Sequence, residues 1–123
     1  MRKQYYFRQS ERGLLAWDVD RLCKLSRDLP RKRIPLENIR ELDQPCAGDG
    51  ASWTWRQMAE HVKLINEADL TYPIILSATG EVMDGRHRVA KAAMSGCGAI
   101  DAVQFEVDPP PDYIGREPDE LPY

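Results

Sequence analysis

The run Asp84-Gly85-Arg86-His87-Arg88 sets a carboxylate, a glycine, two guanidinium groups and an imidazole side by side. Apolar Val82-Met83 precedes it and alanine-rich Val89-Ala90-Lys91-Ala92-Ala93 follows. Asp84 is expected to cap a helix, and Gly85 to take a positive φ, so that the chain turns from strand into helix there. The helix would present its first free N–H groups beside Arg86, His87 and Arg88. Such donors, at the positive end of the helix dipole and next to forked guanidinium groups, suit a phosphate. Gly85, Arg86, His87 and Arg88 are therefore the expected phosphate ligands. Flanking cations disfavour a protonated His87 and a bound phosphate favours it, so His87 can donate to a phosphate oxygen or act as a general acid. Asp84 is the second catalytic candidate, as a base or Mg²⁺ ligand, after its capping role. Lys91 would extend the cationic wall, whereas His61 reads as structural.

The elements that must hold this corner follow from periodicity and punctuation. Residues 1–13 are polar with an aromatic knot at Tyr5-Tyr6-Phe7. Asp18 is an expected N-cap, and Leu15, Val19, Leu22, Leu25 and Leu29 recur at helical spacing until Pro30. Arg31-Lys32-Arg33 reads as a solvated basic turn or a nucleic-acid contact, and Ile34-Pro35-Leu36 as an edge strand. Residues 43–52 form a loop. Thr54 and Gln57 fit a capping box for a second helix with Met58, Val62, Ile65 and Ala68 as its apolar stripe. Trp53 and Trp55 flank that start; either can stack on a base, but burial against the helix is the expected placement. Tyr72–Leu76 and Glu81–Met83 form a hairpin about Ala78-Thr79-Gly80, and Arg86–Ser95 is the third helix, ended by Gly96. Ile100–Val107 alternates as a half-buried strand, and Asp108-Pro109-Pro110-Pro111 opens a polyproline-like segment.

At 123 residues, with 42% hydrophobic and 30% charged residues, the chain suits a single α+β domain. The expected division is a domain over 1–107, with its core at 33–107 behind an N-terminal helix, and a Pro-rich acidic tail over 108–123. No apolar run reaches the roughly 18 residues of a membrane span, and no signal core follows the N-terminus, so a cytoplasmic location is expected. Cys23, Cys46 and Cys97 are odd in number and widely spaced, which argues against disulfides and zinc, with Cys46 the most exposed. The net charge of −3 does not favour general DNA binding. Residues 1–33 hold ten basic against four acidic side chains, and 106–123 six acidic against Arg116 alone. Contact between the two ends, within one molecule or between two in a homodimer, accounts for this layout.

Residues 33–107 resemble the ParB/sulfiredoxin-like superfamily. The resemblance rests on Ile34-Pro35-Leu36-Glu37-Asn38-Ile39, Asp43-Gln44-Pro45, Tyr72-Pro73-Ile74-Ile75-Leu76 and Ala78–Arg88 in that order. It implies a small mixed β-sheet packed with helices, and a nucleotide at the Gly-x-x-Arg corner. CTP-binding partition proteins, ATP-using sulfiredoxins and a nucleotide-dependent free-serine kinase belong to that superfamily. Arg86 stands where sulfiredoxins carry their reactive cysteine, so thiol chemistry is not expected. Nor is a full partition role, which needs further DNA-binding and dimerisation domains. The kinase's Asp-Gly-His-His-Arg is close to Asp84–Arg88. The implied function is binding of a nucleotide (ATP or CTP with Mg²⁺) or a phosphorylated small molecule, with phosphoryl transfer or nucleotide hydrolysis as its chemistry. The superfamily also places Glu41 and Asp43 near the nucleotide, so they join Asp84 as candidate metal ligands. The alternative is a non-enzymatic module binding DNA, RNA or protein, in which Arg31, Lys32 and Arg33 touch nucleic acid. A nuclease ranks lowest, because the sequence shows no carboxylate cluster for two metals.

Overall fold

Ile74, Ile75 and Leu76 are all buried, although neighbouring strand residues point to opposite faces of a sheet. This strand is therefore covered on both sides. A computed structural model, describing residues 3–45 and 53–123, shows what covers it. In chain order the elements are β1 (Tyr5–Ser10), β2 (Gly13–Asp18), α1 (Val19–Ser26), β3 (Lys32–Pro35), 3₁₀ turns at Leu36–Asn38 and Arg40–Asp43, α2 (Trp55–Glu67), β4 (Ile74–Leu76), β5 (Val82–Asp84), α3 (Arg86–Met94), β6 (Ala99–Gln104), β7 (Tyr113–Ile114) and a 3₁₀ turn at Pro118–Glu120.

The main sheet runs β3-β6-β4-β5. β4 lies parallel to β6, while β3–β6 and β4–β5 are antiparallel. α3 carries the chain from β5 across to β6. On one face Ile74, Leu76, Val82, Ile100 and Ala102 meet Val89 and Ala92 of α3, with Leu36 and Ile39 from the 3₁₀ region. On the other, Ile75, Met83 and Val103 meet Leu22 of α1 and Tyr6 and Trp17 of the β1–β2 hairpin. The molecule is a small α+β protein, with three α-helices and two sheets among the described residues.

The second sheet, β1-β2-β7, was not expected. Residues 5–10 form a strand rather than a polar lead-in, and Leu15 lies in β2 rather than on a helical face. The aromatic residues are the cause: Tyr6 turns inward onto Trp17, with ring centroids 5.5 Å apart. Asp18 does cap α1, accepting from the Asp20 N–H at 2.9 Å, but α1 ends at Ser26, well before Pro30. Lys32 and Arg33 are strand residues, not a turn. β6 stops at Gln104, leaving Val107 81% exposed.

Residues 108–123 are tied to the hairpin. Trp17 Nε1 donates to Pro109 O at 2.8 Å, the Asp18 N–H to Asp112 at 2.8 Å, and Tyr113–Ile114 pair with β2. Arg8–Asp108 at 3.0 Å and Arg21–Asp112 at 3.2 Å join the basic start to the acidic end within one molecule. Among the described residues no helix is long and apolar enough to cross a membrane. Cys46 and most of the expected loop over 43–52 lie outside the described residues.

Candidate functional site

The corner between β5 and α3 is built on Gly85, whose φ is 110°. A methyl group there would lie 2.6 Å from Ile74 Cγ2 and 3.0 Å from Ile74 Cβ, so both conformation and space require glycine. Gly85 is itself the N-cap residue, and α3 has no side-chain cap. This corrects the expectation for Asp84. It ends β5, one residue too early to reach back over the first helical turn. Its carboxylate instead meets Arg88, four residues on, at 2.9 Å.

Arg88 is consequently occupied. One guanidinium nitrogen donates to Asp84 and another to Pro73 O at 2.9 Å. The two arginines do not converge on one outside point: Arg88 turns in and stiffens the corner, whereas Arg86 stays exposed, with no hydrogen bond or ion pair among the described residues. Lys91 also differs from expectation, because its ammonium donates to Asn66 O and Ala68 O at 2.8 and 2.7 Å and so caps the end of α2. The first hydrogen bond of α3 runs from the Val89 N–H to Gly85 O at 3.0 Å. The N–H groups of Arg86, His87 and Arg88 are thus the free donors of the helix.

This helix start borders two concavities. A cavity of about 310 Å³ has Ile39, Leu42, Val82 and Val89 in its wall, with Glu41, Gln44, Arg86 and both histidines as polar members. A wider cleft of about 880 Å³ lies between the corner and the β1 residues Tyr5, Tyr6 and Phe7. Arg86 and His87 line both.

His87 is half-buried and packs edge-on to His61, ring centroids 4.9 Å apart, which in turn meets Trp53 at 4.8 Å. Burial pushes His87 below the ordinary histidine range and His61 adds to the shift, while the Asp84 carboxylate opposes it. A neutral His87 follows near pH 7, able to take up a proton when an anion arrives. One oxygen of Glu41 accepts from the Val82 N–H; the other, Oε1, is buried without a hydrogen-bond partner among the described residues.

The candidate metal ligands do not assemble. Glu41 is held by Val82, Asp84 by Arg88, and Asp43 is exposed on its 3₁₀ turn. Among the described residues no group of three or more His, Cys, Asp or Glu side chains could hold a metal ion. Arg31, Lys32 and Arg33 are exposed but each has an acceptor: Thr71 O at 3.0 Å, Gln104 Oε1 at 3.0 Å and Asp101 at 3.1 Å. Sequence reasoning missed the contact of His61 with His87. The position of His61 beside the α2 stripe was the available signal, but nothing local in the chain says which residue it meets. No protein-family model matches the chain, and no curated protein or solved structure matches it either.

Proposed function

We propose that this protein binds a nucleotide or a related phosphate ester at the β5–α3 corner. The observation that carries the reading is the uncapped start of α3, with Arg86 exposed and without a hydrogen bond or ion pair among the described residues, and His87 half-buried, opening onto the cavity. The N–H groups of residues 86–88 and the Arg86 guanidinium hold a phosphate, and His87 donates to one of its oxygens once protonated. Gly85 allows the close approach. Arg88 and Asp84 are positioning residues, since their charged ends are bound to each other. The cavity receives the organic part, its apolar wall covering a flat ring.

Phosphoryl transfer or hydrolysis would use the same groups. Arg86 and the helix N–H groups offset charge developing on the transferred phosphoryl, and His87 supplies or removes the proton. The ParB/sulfiredoxin-like resemblance of residues 33–107 agrees with this reading. The nucleic-acid alternative has less support, because Arg31, Lys32 and Arg33 already have partners within the chain.

Thermal denaturation with ATP, CTP, ADP and pyrophosphate, each with and without Mg²⁺, tests the proposal. A ligand at ten times its Kd contributes about 1.4 kcal/mol, or roughly 4–6 °C for a chain of this size. The shift should vanish in Arg86→Ala. No shift with any of the four, or an equal shift in Arg86→Ala, contradicts it.

A further inference from the structure

The two concavities at the β5–α3 corner do not share it equally. Asp84, Gly85 and Arg88 lie in the wall of the cleft of about 880 Å³ alone, whereas Arg86 and His87 also line the cavity of about 310 Å³. The start of α3 therefore stands on the boundary between them. Both volumes fall within the roughly 300–1,000 Å³ that small-molecule sites occupy. A terminal phosphate held on this boundary would extend its organic part to one side and leave the other side to water. A bridging phosphate carries an organic group in each direction.

The wall of the wide cleft decides what kind of group it takes. Tyr5, Phe7 and Tyr72 supply aromatic rings, and Tyr72 is 63% exposed, so its ring is open to a guest. Tyr5 and Phe7 stand on one face of β1, with ring centroids 6.1 Å apart. The charges balance, because Lys3, Arg86 and Arg88 are matched by Glu67, Asp69 and Asp84. Lys3 is paired with Asp18 and Arg88 with Asp84, at 2.9 Å each, so these two cations are already neutralised. A long polynucleotide needs an excess of cations along its path. A neutral nucleoside needs none, and its base can stack on any of these rings.

We infer that the ligand is a dinucleotide. Its bridging phosphate rests on the α3 N–H groups and the Arg86 guanidinium, one nucleoside enters the smaller cavity, and the other lies in the wide cleft against Tyr72. The inference rests on the phosphate site proposed above and names the class of ligand that the site takes.

Isothermal titration calorimetry with two matched pairs, AMP against the dinucleoside monophosphate ApA and CMP against CpC, provides the test. Charge alone favours the mononucleotides, whose phosphate carries about 1.5–2 negative charges near pH 7 against a single one on the diester. In at least one pair the dinucleotide should nevertheless bind at least about tenfold tighter, the gain expected from one more base stacked on an aromatic ring. Arg86→Ala should weaken both members of the pair, and Tyr72→Ala should remove the advantage of the dinucleotide, with circular dichroism to verify that each variant folds. Equal affinity within both pairs, or tighter binding of the mononucleotides, overturns the dinucleotide and leaves the phosphate site standing. An advantage that survives in Tyr72→Ala puts the second nucleoside elsewhere and also overturns the inference. Binding of none of the four contradicts the phosphate site and the inference together.

Discussion

Replacing Gly85 by alanine perturbs the corner in two separable ways. The first is conformational: at φ 110° an L-residue occupies the left-handed region, at a cost of about 1–2 kcal/mol. The second is steric: the new Cβ would lie 2.6 Å from Ile74 Cγ2 and 3.2 Å from Arg88 Nε. Ile74 is fully buried and Arg88 is held at both ends, so neither can yield freely. Overpacking of this kind costs about 1–3 kcal/mol. Gly80 separates the two effects, for its φ is 90° and a Cβ there would meet nothing within 4 Å. Gly80→Ala should thus lose only the conformational part, and Gly85→Ala about 2–5 kcal/mol in total. Urea denaturation of the three proteins, read as midpoint and slope, measures both. Equal losses in the two variants would refute the tight corner on which the placement of the α3 N–H groups depends.

Arg88→Met removes the guanidinium shared by Asp84 and Pro73 O and should cost about 2–4 kcal/mol in urea, whereas Arg86→Ala should stay within about 0.5 kcal/mol. A loss in Arg86→Ala comparable to Arg88→Met would show that Arg86 is structural. Trp17→Phe forfeits the bond to Pro109 O and part of a buried ring, with an expected loss of about 2–3 kcal/mol and faster proteolysis within 108–123. Unchanged cleavage there would detach that segment from the hairpin. The His87 pKa is depressed in the fold, so its contribution to stability is present above about pH 6.5 and is lost as pH falls through the lower folded value. His87→Gln should flatten stability across pH 7 to 5. Phosphate should raise the His87 pKa, as read by NMR, and a titration curve indifferent to phosphate would remove His87 from the anion site.

The strand–turn–helix unit was legible because its signals are local: a β-hairpin about Gly80, a glycine that alone fits the corner, and a helix closed by Gly96. The Thr54–Gln57 capping box is present for the same reason. What escaped was set by contacts between distant residues. Leu15 and Val19 share helical spacing, but Tyr6 and Trp17 make a hairpin the better way to cover Ile75 and Met83. Arg86 and Arg88 look equivalent in sequence; only the position of Asp84 at the end of β5 decides that Arg88 turns inward. The meeting of His61 with His87 and the unpartnered Glu41 oxygen arise from packing three segments together, which no spacing along the chain encodes. Met58 and Val62 read as buried, and their exposure reflects how little of α2 rests on the core.

The most direct test is a ¹⁵N-resolved NMR titration with inorganic phosphate and then pyrophosphate. The account predicts saturable shifts concentrated at the backbone N–H groups of Arg86, His87 and Arg88 and at the His87 ring, with Arg86→Ala weakening them at least about tenfold. Shifts centred elsewhere, or none at millimolar anion, would contradict it.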